Sequence, residues 1–337
     1  MKNAPTKPTR NVLGTSDLEV APLAIGCWVF AGDANWGVQS ERDSTAVVHA
    51  ALDSGLCLYD TAPGYGDGES ERVLGQALEG RRDEAIIADK VPDNAMDAKA
   101  VRTACERSLQ LLRTDHIDLY QVHWPSREVP FEETISALQR LQQEGKIRHI
   151  GVCNFGPADL EEWLAKGGEV VTNQLPYSLL FRAIEYDIQP LARDHRISVL
   201  PYCPLMQGLL TGKFADANAF PTTRARTRHF RNDRELTRHA EPGCEWETFA
   251  AIDRLRQVAQ DLDVPMAGLS LAWLMAQETV GTVIMGARSI AQLEQNRDAL
   301  AIEFTAELDQ VLREATAEVK NRLGPNPDMW RTESRFR

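Results

Sequence analysis

Short apolar runs alternate with longer amphipathic segments along most of the chain. Each short run has four to six residues, is largely apolar and ends in polar or turn-forming residues. This pattern is typical of strands that are buried on both faces. We therefore expect eight strands, at residues 23–26, 57–60, 85–90, 118–123, 147–152, 170–174, 198–202 and 282–285.

Between these runs, apolar residues recur three or four positions apart, as they do on one face of a helix. In the first such segment Ala46, Val47, Ala50 and Ala51 share a face. The remaining segments have a similar length and lie between consecutive predicted strands or after the last one. The predicted helices are 44–53, 70–78, 99–112, 131–143, 159–165, 188–193, 246–262, 290–299 and 306–320.

Strands that alternate with helices pair in parallel, because each helix carries the chain back to the same end of the sheet. Eight such units predict an α/β protein with a closed (β/α)8 TIM barrel. An open doubly wound sheet has the same strand count and remains an alternative at this stage. Polar chemistry at the ends of nearly every strand favours the barrel, since an open sheet gathers it near one switch point.

Two further segments extend this barrel. Residues 10–22 contain two short apolar stretches around a Gly-Thr-Ser-Asp turn, which predicts a β-hairpin that plugs one barrel end. The segment 306–320 adds an extra C-terminal helix. Neither repeats nor a linker divide the chain, so we expect residues 1–337 to form a single domain.

Composition narrows the class of function. The chain has 337 residues, a net charge of −12 and a pI near 5.2, which argues against a nucleic-acid or anionic-membrane partner. Residues 1–10 are polar and lack the apolar stretch of a signal peptide, so we expect a short tail and a cytoplasmic protein. Six cysteines without Cys-x-x-Cys spacing predict buried thiols and no metal site.

Residues 214–243 interrupt the alternating pattern. This segment has no periodicity and is too long for a plain connection. It also concentrates positive charge in an acidic chain. Two arrangements are open: the segment folds over a bound cofactor and adds charge there, or it is a solvated surface loop. Its arginines are Arg224, Arg226, Arg228, Arg231, Arg234 and Arg238.

Four chemically active residues lie at or just after the ends of three successive strands. They are Asp60, Tyr65, Lys90 and His123. A phenol is a weak acid at neutral pH unless a nearby cation stabilises its phenolate, and Lys90 would supply that charge while Asp60 holds it. Such a phenol can protonate a carbonyl oxygen while His123 orients it. Each residue alone has an ordinary structural explanation, but their recurrence at strand ends favours catalysis.

The glycine-rich loop at residues 64–69 follows a strand and precedes a helix, as a dinucleotide-binding fingerprint does. Its sixth position is Glu69, where that fingerprint needs glycine or alanine. We interpret it as a tight loop that presents Tyr65. Asp89, directly before Lys90, should point away from the lysine because side chains alternate along a strand.

The four residues, with several later segments, resemble the signature of the aldo-keto reductases. The resemblance runs from about residue 13 to residue 296. It implies a (β/α)8 barrel that binds a nicotinamide cofactor, usually NADP(H), and reduces carbonyl groups with Tyr65 as the general acid. The supporting segments are Ile150-Gly151-Val152-Cys153-Asn154-Phe155, Tyr202-Cys203-Pro204-Leu205, Gly208-Leu209-Leu210-Thr211-Gly212-Lys213, and Gly286-Ala287-Arg288-Ser289 with Gln292, Leu293 and Asn296.

The same resemblance implies the cofactor contacts. Asn154 and Gln174 would pair with the nicotinamide carboxamide, and Tyr202 would stack on its ring. Arg288 near a helix start suits a 2′-phosphate, which favours NADP over NAD, although Gly286 and Gln292 replace residues that are often cationic in the family. The remaining predicted cofactor contacts are Cys27, Trp28, Cys203, Pro204, Leu205, Gly208, Lys213, Gly286, Gln292 and Asn296.

A small-molecule carbonyl or alcohol is the expected substrate, bound by loop residues that we predict to be Val29, Trp36, Trp124 and Trp330. Trp28 and Phe30 are further candidates. Two other classes remain open: a cofactor-binding regulatory subunit similar to the potassium-channel β-subunits, and an aldolase-like barrel with Lys90 as a Schiff-base lysine. The substrate, the physiological direction and the oligomeric state are not determined by the sequence.

Overall fold

We describe a computed structural model of the chain that covers residues 8–32 and 36–337. Residues 1–7, most of the predicted N-terminal tail, lie outside this part. Eight parallel strands form one sheet in the order β10-β3-β4-β5-β6-β7-β8-β9. The strands are β3 (Leu23–Gly26), β4 (Leu58–Asp60), β5 (Ile86–Val91), β6 (Ile117–Val122), β7 (Ile147–Cys153), β8 (Thr172–Pro176), β9 (Ser198–Tyr202) and β10 (Val283–Met285).

The sheet closes into a barrel between its two outer strands, β9 and β10. The backbone N–H of Val199 donates to the carbonyl of Thr279 at 2.7 Å, and Gly281 N–H donates to the Val199 carbonyl at 3.0 Å. Val283, in β10, pairs with Leu23 on the other side. The predicted (β/α)8 barrel is confirmed, and the open doubly wound sheet is wrong.

Helices surround the barrel and connect its strands. The helix between β3 and β4 begins after Ser40, whose hydroxyl accepts a hydrogen bond from the Asp43 N–H, a typical N-cap. The helices are α1 (Glu41–Asp53), α2 (Glu69–Ala77), α3 (Ala98–Leu112), α4 (Phe131–Gln143), α5 (Pro157–Ala165), α6 (Ile188–Asp194), α7 (Glu245–Asp261), α8 (Met266–Met275), α9 (Ile290–Arg297), α10 (Ala306–Ala315) and α11 (Ala317–Leu323).

A β-hairpin closes the end of the barrel at which the strands begin. It consists of β1 (Asn11–Val12) and β2 (Glu19–Val20), which pair antiparallel. Leu13 and Leu18 are fully buried and join the inward-facing residues of the strands in one apolar cluster. A second, larger cluster runs from Ala21 to Phe336 outside the barrel, which supports the single domain that we propose for the chain.

The structure departs from the predicted helices at two places. α8 was not predicted, because eight of its ten residues are buried and an all-apolar helix has no amphipathic stripe. The predicted helix 306–320 is two helices that break at Thr316. The side chain of Thr316 accepts a hydrogen bond from the buried Arg182 and donates to the Leu312 carbonyl.

The arginine-rich segment 214–243 contains no helix or strand, yet its side chains are held by many contacts. Arg228 is buried and donates to Glu241 and to carbonyls near the C-terminus of the chain. Arg234 pairs with Glu245, whereas Arg238 is exposed. In the part of the chain that the structure describes, no helix combines the length and apolar character required to cross a membrane.

Candidate active site

The four predicted catalytic residues come together at the end of the barrel where the strands finish, which we call the barrel mouth. Asp60 ends β4, Lys90 lies in β5, and His123 directly follows β6. Tyr65 lies in the loop between β4 and α2. In that loop Gly66 has φ of +66°, and a Cβ there would lie 2.9 Å from the Cβ of Ala31, so only glycine fits.

Lys90 is fully buried and is the centre of the group. Its ammonium donates to both carboxylate oxygens of Asp60, at 2.9 and 2.8 Å, and to the Thr61 carbonyl at 2.8 Å. Burial alone would lower the pKa of Lys90, but the surrounding groups, led by the Asp60 carboxylate, together outweigh burial and the pKa lies above its ordinary value. A lysine held charged in this way is a poor nucleophile, which argues against the Schiff-base alternative.

Tyr65 is the fourth acceptor around the Lys90 ammonium, so one of its three N–H groups is shared between two acceptors. The ammonium donates to the phenol oxygen at 3.3 Å, so the phenol hydrogen is left to point elsewhere. Burial raises the pKa of Tyr65 above its ordinary value, and the positive charge of Lys90 opposes this without cancelling it. The sequence had led us to expect a phenol acidified by its lysine. The structure instead shows one that stays protonated at neutral pH.

His123 is half-buried, and its ring meets that of Tyr65 edge-on, with centroids 6.4 Å apart. Loss of solvent around the ring, together with the nearby charge of Lys90, lowers the pKa of His123 to about 3. The imidazole is therefore neutral at physiological pH. It can offer one N–H donor without adding a charge to the site.

Two amides complete the buried network around Asp60. Gln174 donates to Asp60 Oδ1 at 2.7 Å, and Gln121 reaches the same oxygen at 3.4 Å. Gln174 was predicted from the resemblance as a cofactor contact, and in this structure its amide group is bonded to Asp60. Gln121 was missed, although a polar residue two positions before His123 in a largely apolar strand is a signal for the inward face.

Asp89 points away from Lys90, as strand alternation predicted, and lies on the outer face of β5. It is fully buried, as is Glu71 in α2, and the two carboxyl groups lie close enough that the charge of Glu71 acts on Asp89. Burial raises the pKa of both groups, and the charge of Glu71 raises that of Asp89 further. Burial and mutual repulsion both oppose the charged form, so this pair holds a proton to a higher pH than an exposed carboxyl group does.

Aromatic side chains surround the mouth. Trp28 stacks on Tyr65 with ring centroids 5.4 Å apart, and Trp36 meets Trp28 edge-on at 5.7 Å. Trp124, which directly follows His123, and Trp330, which stacks on Tyr202, are both half-buried. The predicted substrate residues Trp36, Trp124 and Trp330 therefore lie around one opening with the tetrad.

Two predictions near the first strand are not supported. Cys27 has no exposed surface, its thiol faces the core and its carbonyl accepts a hydrogen bond from Ser70, so it offers nothing to a cofactor. Val29 is buried and is the side chain nearest to Gly286, which places it under the predicted cofactor loop instead of in the substrate opening. The physical reason is the 3-10 turn Cys27–Ala31, which buries the side chains of Cys27, Val29 and Phe30 and leaves Trp28 and Ala31 partly exposed.

The loop after β9 has the shape of an anion cradle. Positive φ values at Cys203, Met206, Gln207 and Gly208 form a concave run of backbone, a geometry that binds phosphate groups. A Cβ at Gly208, whose φ is +105°, would lie 3.4 Å from the guanidinium of Arg224. Arg224 also donates to the Gln207 carbonyl at 2.7 Å, so one arginine of the segment 214–243 reaches this cradle.

The other predicted cofactor residues occupy the same mouth. Asn154 donates to the His123 carbonyl and accepts a hydrogen bond from the Tyr202 hydroxyl at 2.9 Å. Arg288, just before α9, donates to Gln39 at 3.1 Å and to the Val38 carbonyl, which ties the loop after β3 to the loop after β10. Pro204 is buried, Leu205 is half-buried, Lys213, Gly286 and Gln292 are exposed, and Asn296 is buried and donates to the Gly286 carbonyl.

Comparison with known proteins places this geometry in a family. The model of the aldo/keto reductase family matches residues 22–315. The aldo-keto reductase YhdN of Bacillus subtilis is 34% identical over 297 residues, which cover 84% of this chain and 86% of that protein. The NADH-specific methylglyoxal reductase of Escherichia coli is 30% identical over 335 residues, which cover 92% of this chain and 98% of that protein.

Solved structures indicate the same family. The crystal structure of an aldo/keto reductase from Klebsiella pneumoniae in complex with NADP and acetate matches with a TM-score of 0.73 at 28% identity. The match covers 98% of this chain and 99% of that one. Together with the family match over most of the chain, this confirms the resemblance seen in the sequence. The chain belongs to the aldo/keto reductase family.

Proposed function

We propose that this protein is an NADP(H)-dependent oxidoreductase that interconverts an aldehyde or ketone and the corresponding alcohol, with Tyr65 as the general acid. The observation that carries this proposal is the contact between Lys90 and Tyr65. A buried ammonium, held by Asp60, donates to a phenol oxygen at 3.3 Å, and the phenol hydrogen is left for a substrate. The family membership and the names of the relatives, which include reductases of small carbonyl compounds, support the same chemistry.

Tyr65 donates its proton to the carbonyl oxygen in the direction of reduction. The nicotinamide cofactor, when bound, supplies the hydride to the carbonyl carbon. Lys90 stabilises the phenolate that Tyr65 becomes, because its charge is already fixed 3.3 Å from that oxygen. Asp60 keeps the lysine oriented throughout, and Gln174 keeps Asp60 in place with a hydrogen bond of 2.7 Å.

His123 orients the substrate in this proposal. Since the lowered pKa of about 3 keeps the imidazole neutral, His123 does not compete with Tyr65 as the proton source. Its N–H can donate to the same carbonyl oxygen and so align the carbonyl with the phenol. The surrounding tryptophans limit access of water to this position, which strengthens each of these electrostatic interactions.

The residues at the mouth fit a dinucleotide with phosphate groups. The backbone run from Cys203 to Gly208 would hold the pyrophosphate, with Arg224 beside it, and Arg288 before α9 would face the 2′-phosphate. Asn154 and Tyr202 would contact the nicotinamide end. We therefore propose NADP(H) as the cofactor and keep NAD(H) as the alternative, because one relative carries the name of an NADH-specific enzyme.

Substitution Tyr65→Phe tests the catalytic proposal. It removes only the hydroxyl group, so we expect the rate of NADPH-dependent aldehyde reduction to fall by about 100-fold or more. Binding of NADPH, followed by tryptophan fluorescence, should change little. The matched control is Tyr186→Phe, which makes the same chemical change at an exposed tyrosine. Equal rates in wild type and Tyr65→Phe would refute the role of Tyr65.

Two further measurements address the cofactor and the alternative class. Titration with NADPH and with NADH should show tighter binding of NADPH; equal affinities would remove the case for a 2′-phosphate site. A regulatory subunit would bind NADPH without turning it over. Steady NADPH consumption with simple aldehydes, lost in Tyr65→Phe, therefore separates an enzyme from such a subunit.

A further inference from the structure

The last residues of the chain, 324–337, form an extended segment that we call the C-terminal strap. It leaves α11 and is fixed at both ends against the rest of the protein. Near its start, the strap is bonded to Arg228 of the segment 214–243. The Arg228 guanidinium donates to the Asn326 carbonyl at 3.0 Å, and the Arg228 backbone N–H donates to the Met329 carbonyl at 2.9 Å. Near its end, the Arg337 N–H donates to the buried Asp159 at 2.9 Å.

The middle of the C-terminal strap lies beside the substrate opening. Trp330 stacks on Tyr202 with ring centroids 6.2 Å apart, and Phe336 packs edge-on against Trp124 at 5.4 Å. The guanidinium of Arg335 lies 3.7 Å from the centre of the Trp124 ring and 6.0 Å from that of Trp330. A positive charge is thus presented between two tryptophans, and one of them directly follows His123.

Arg335 is held in place by a single acidic side chain, which leaves part of its guanidinium available. Its Nε and Nη2 donate to the two oxygens of Asp328 at 2.7 and 3.1 Å. Asp328 is fully buried and also accepts hydrogen bonds from the backbone N–H groups of Trp330 and Arg335. A guanidinium has five N–H donors, so three remain beyond this pair among the described residues, and the side chain is 33% exposed.

From this arrangement we propose that the active site takes carbonyl substrates that carry a carboxylate group, and that Arg335 binds the carboxylate. This inference rests on the proposed carbonyl–alcohol chemistry at Tyr65. The second edge of the guanidinium offers parallel donors that match a planar carboxylate. The adjacent tryptophans restrict water around this charge, which makes the interaction stronger than at an open surface.

The net charge of the chain bears on how an anionic substrate would be bound. With a net charge of −12, the protein repels anions at long range, so an anionic substrate needs a local cation at the opening. Asp328 balances the charge of Arg335, so the carboxylate of a substrate would be bound through the N–H donors of the guanidinium that Asp328 does not use. The Trp124 ring, which contacts the Arg335 guanidinium and directly follows His123, suits the apolar spacer of such a substrate.

The test compares 4-formylbenzoate with its methyl ester, which has the same aldehyde and the same ring but no charge. We expect Arg335→Gln to lower kcat/KM for 4-formylbenzoate by about 10- to 100-fold, mainly through KM, as for loss of a hydrogen bond to a charged group. The decrease in kcat/KM for the methyl ester should be at least 10-fold smaller than the decrease for 4-formylbenzoate. Arg335→Lys should restore part of the preference, because it keeps the charge without the planar fork.

The matched control is Arg331→Gln, which removes an exposed arginine from the same strap and should leave both substrates unaffected. A second readout does not need turnover: benzoate should quench tryptophan fluorescence at lower concentration than benzamide in wild type, and Arg335→Gln should abolish the difference. Equal binding of benzoate and benzamide by the wild type would overturn the inference. So would an equal loss of activity on both aldehydes in Arg335→Gln, which would indicate a purely structural role.

These outcomes are distinguishable from failure of the proposed function. If wild type reduces the methyl ester and Tyr65→Phe does not, the proposed carbonyl reduction by Tyr65 is supported independently of the results for Arg335. If neither aldehyde is reduced, the proposed function fails, while the binding comparison of benzoate with benzamide still decides whether Arg335 receives a carboxylate.

Discussion

The buried carboxyl pair of Glu71 and Asp89 makes a specific prediction about stability and pH. Both side chains are fully buried and burial raises the pKa of both, so the folded protein keeps a proton that the unfolded chain releases above about pH 4. A group whose pKa is raised in the folded state stabilises the fold most at low pH. That contribution is lost as pH rises from the unfolded pKa to the folded one.

The magnitude follows from proton counting. When the folded state holds one more proton than the unfolded state, the free energy of unfolding falls by about 1.4 kcal/mol for each pH unit. Substitution Asp89→Asn removes this dependence, since the amide N–H can donate to the Glu71 carboxylate without any bound proton. We therefore expect the free energy of unfolding of Asp89→Asn, minus that of wild type, to rise with pH. The expected slope is about 1.4 kcal/mol per pH unit over the range in which the folded wild type keeps its extra proton.

Urea unfolding at pH 5, 6, 7 and 8, followed by tryptophan fluorescence, measures this difference at each pH. The control is Glu278→Gln, which removes a carboxyl group from an exposed position and should show no such trend. If the difference between Asp89→Asn and wild type is the same at all four pH values, the pair holds no extra proton and our reasoning about its burial is wrong.

Three other perturbations test the buried charges. Lys90→Met leaves Asp60 charged and unpaired in the core, so we expect the free energy of unfolding to fall by about 3–5 kcal/mol in urea titrations, and activity to be lost. Because the pKa of His123 is lowered to about 3, its ionisation should not affect kcat/KM near pH 6.5. The plots of kcat/KM against pH for wild type and His123→Gln should therefore have the same shape in that range. Burial opposes ionisation of Glu185, but hydrogen bonds led by that from Arg182 lower its pKa to about 2. Glu185→Gln should therefore lower the free energy of unfolding by about 3 kcal/mol at pH 7. The difference from wild type should become smaller as the pH falls towards 2.

The barrel could be predicted because its strands are buried on both faces. Strands 23–26 and 198–202 were predicted with the bounds that the structure shows, and the others differ by one or two residues at either end. α8 could not be recognised in the same way. Its residues are apolar on every side, so the periodicity that reveals a surface helix is absent.

The residue types of the tetrad were predictable, whereas their electrostatics were not. Strand-end positions bring Tyr65 and Lys90 together in any parallel barrel, which sequence spacing alone indicates. The pKa of Tyr65 depends on how much solvent surrounds the phenol, and only the packed structure shows that burial outweighs the lysine. Arg335 could not be found at all, because its contact with Trp124 joins residues about two hundred positions apart through a strap without regular structure.

The charge balance of the site argues for a direction of reaction. Asp60 and Lys90 cancel each other, and Tyr65 and His123 are both neutral at physiological pH, so the resting site has a proton ready to give and no base ready to take one. Carbonyl reduction uses this state directly. Alcohol oxidation needs the Tyr65 phenolate first, and burial makes that form scarce until the pH is high. Oxidation should therefore accelerate with rising pH while reduction does not, and an oxidation rate that is flat from pH 6 to 10 would contradict the role of Tyr65 as the group that exchanges the proton.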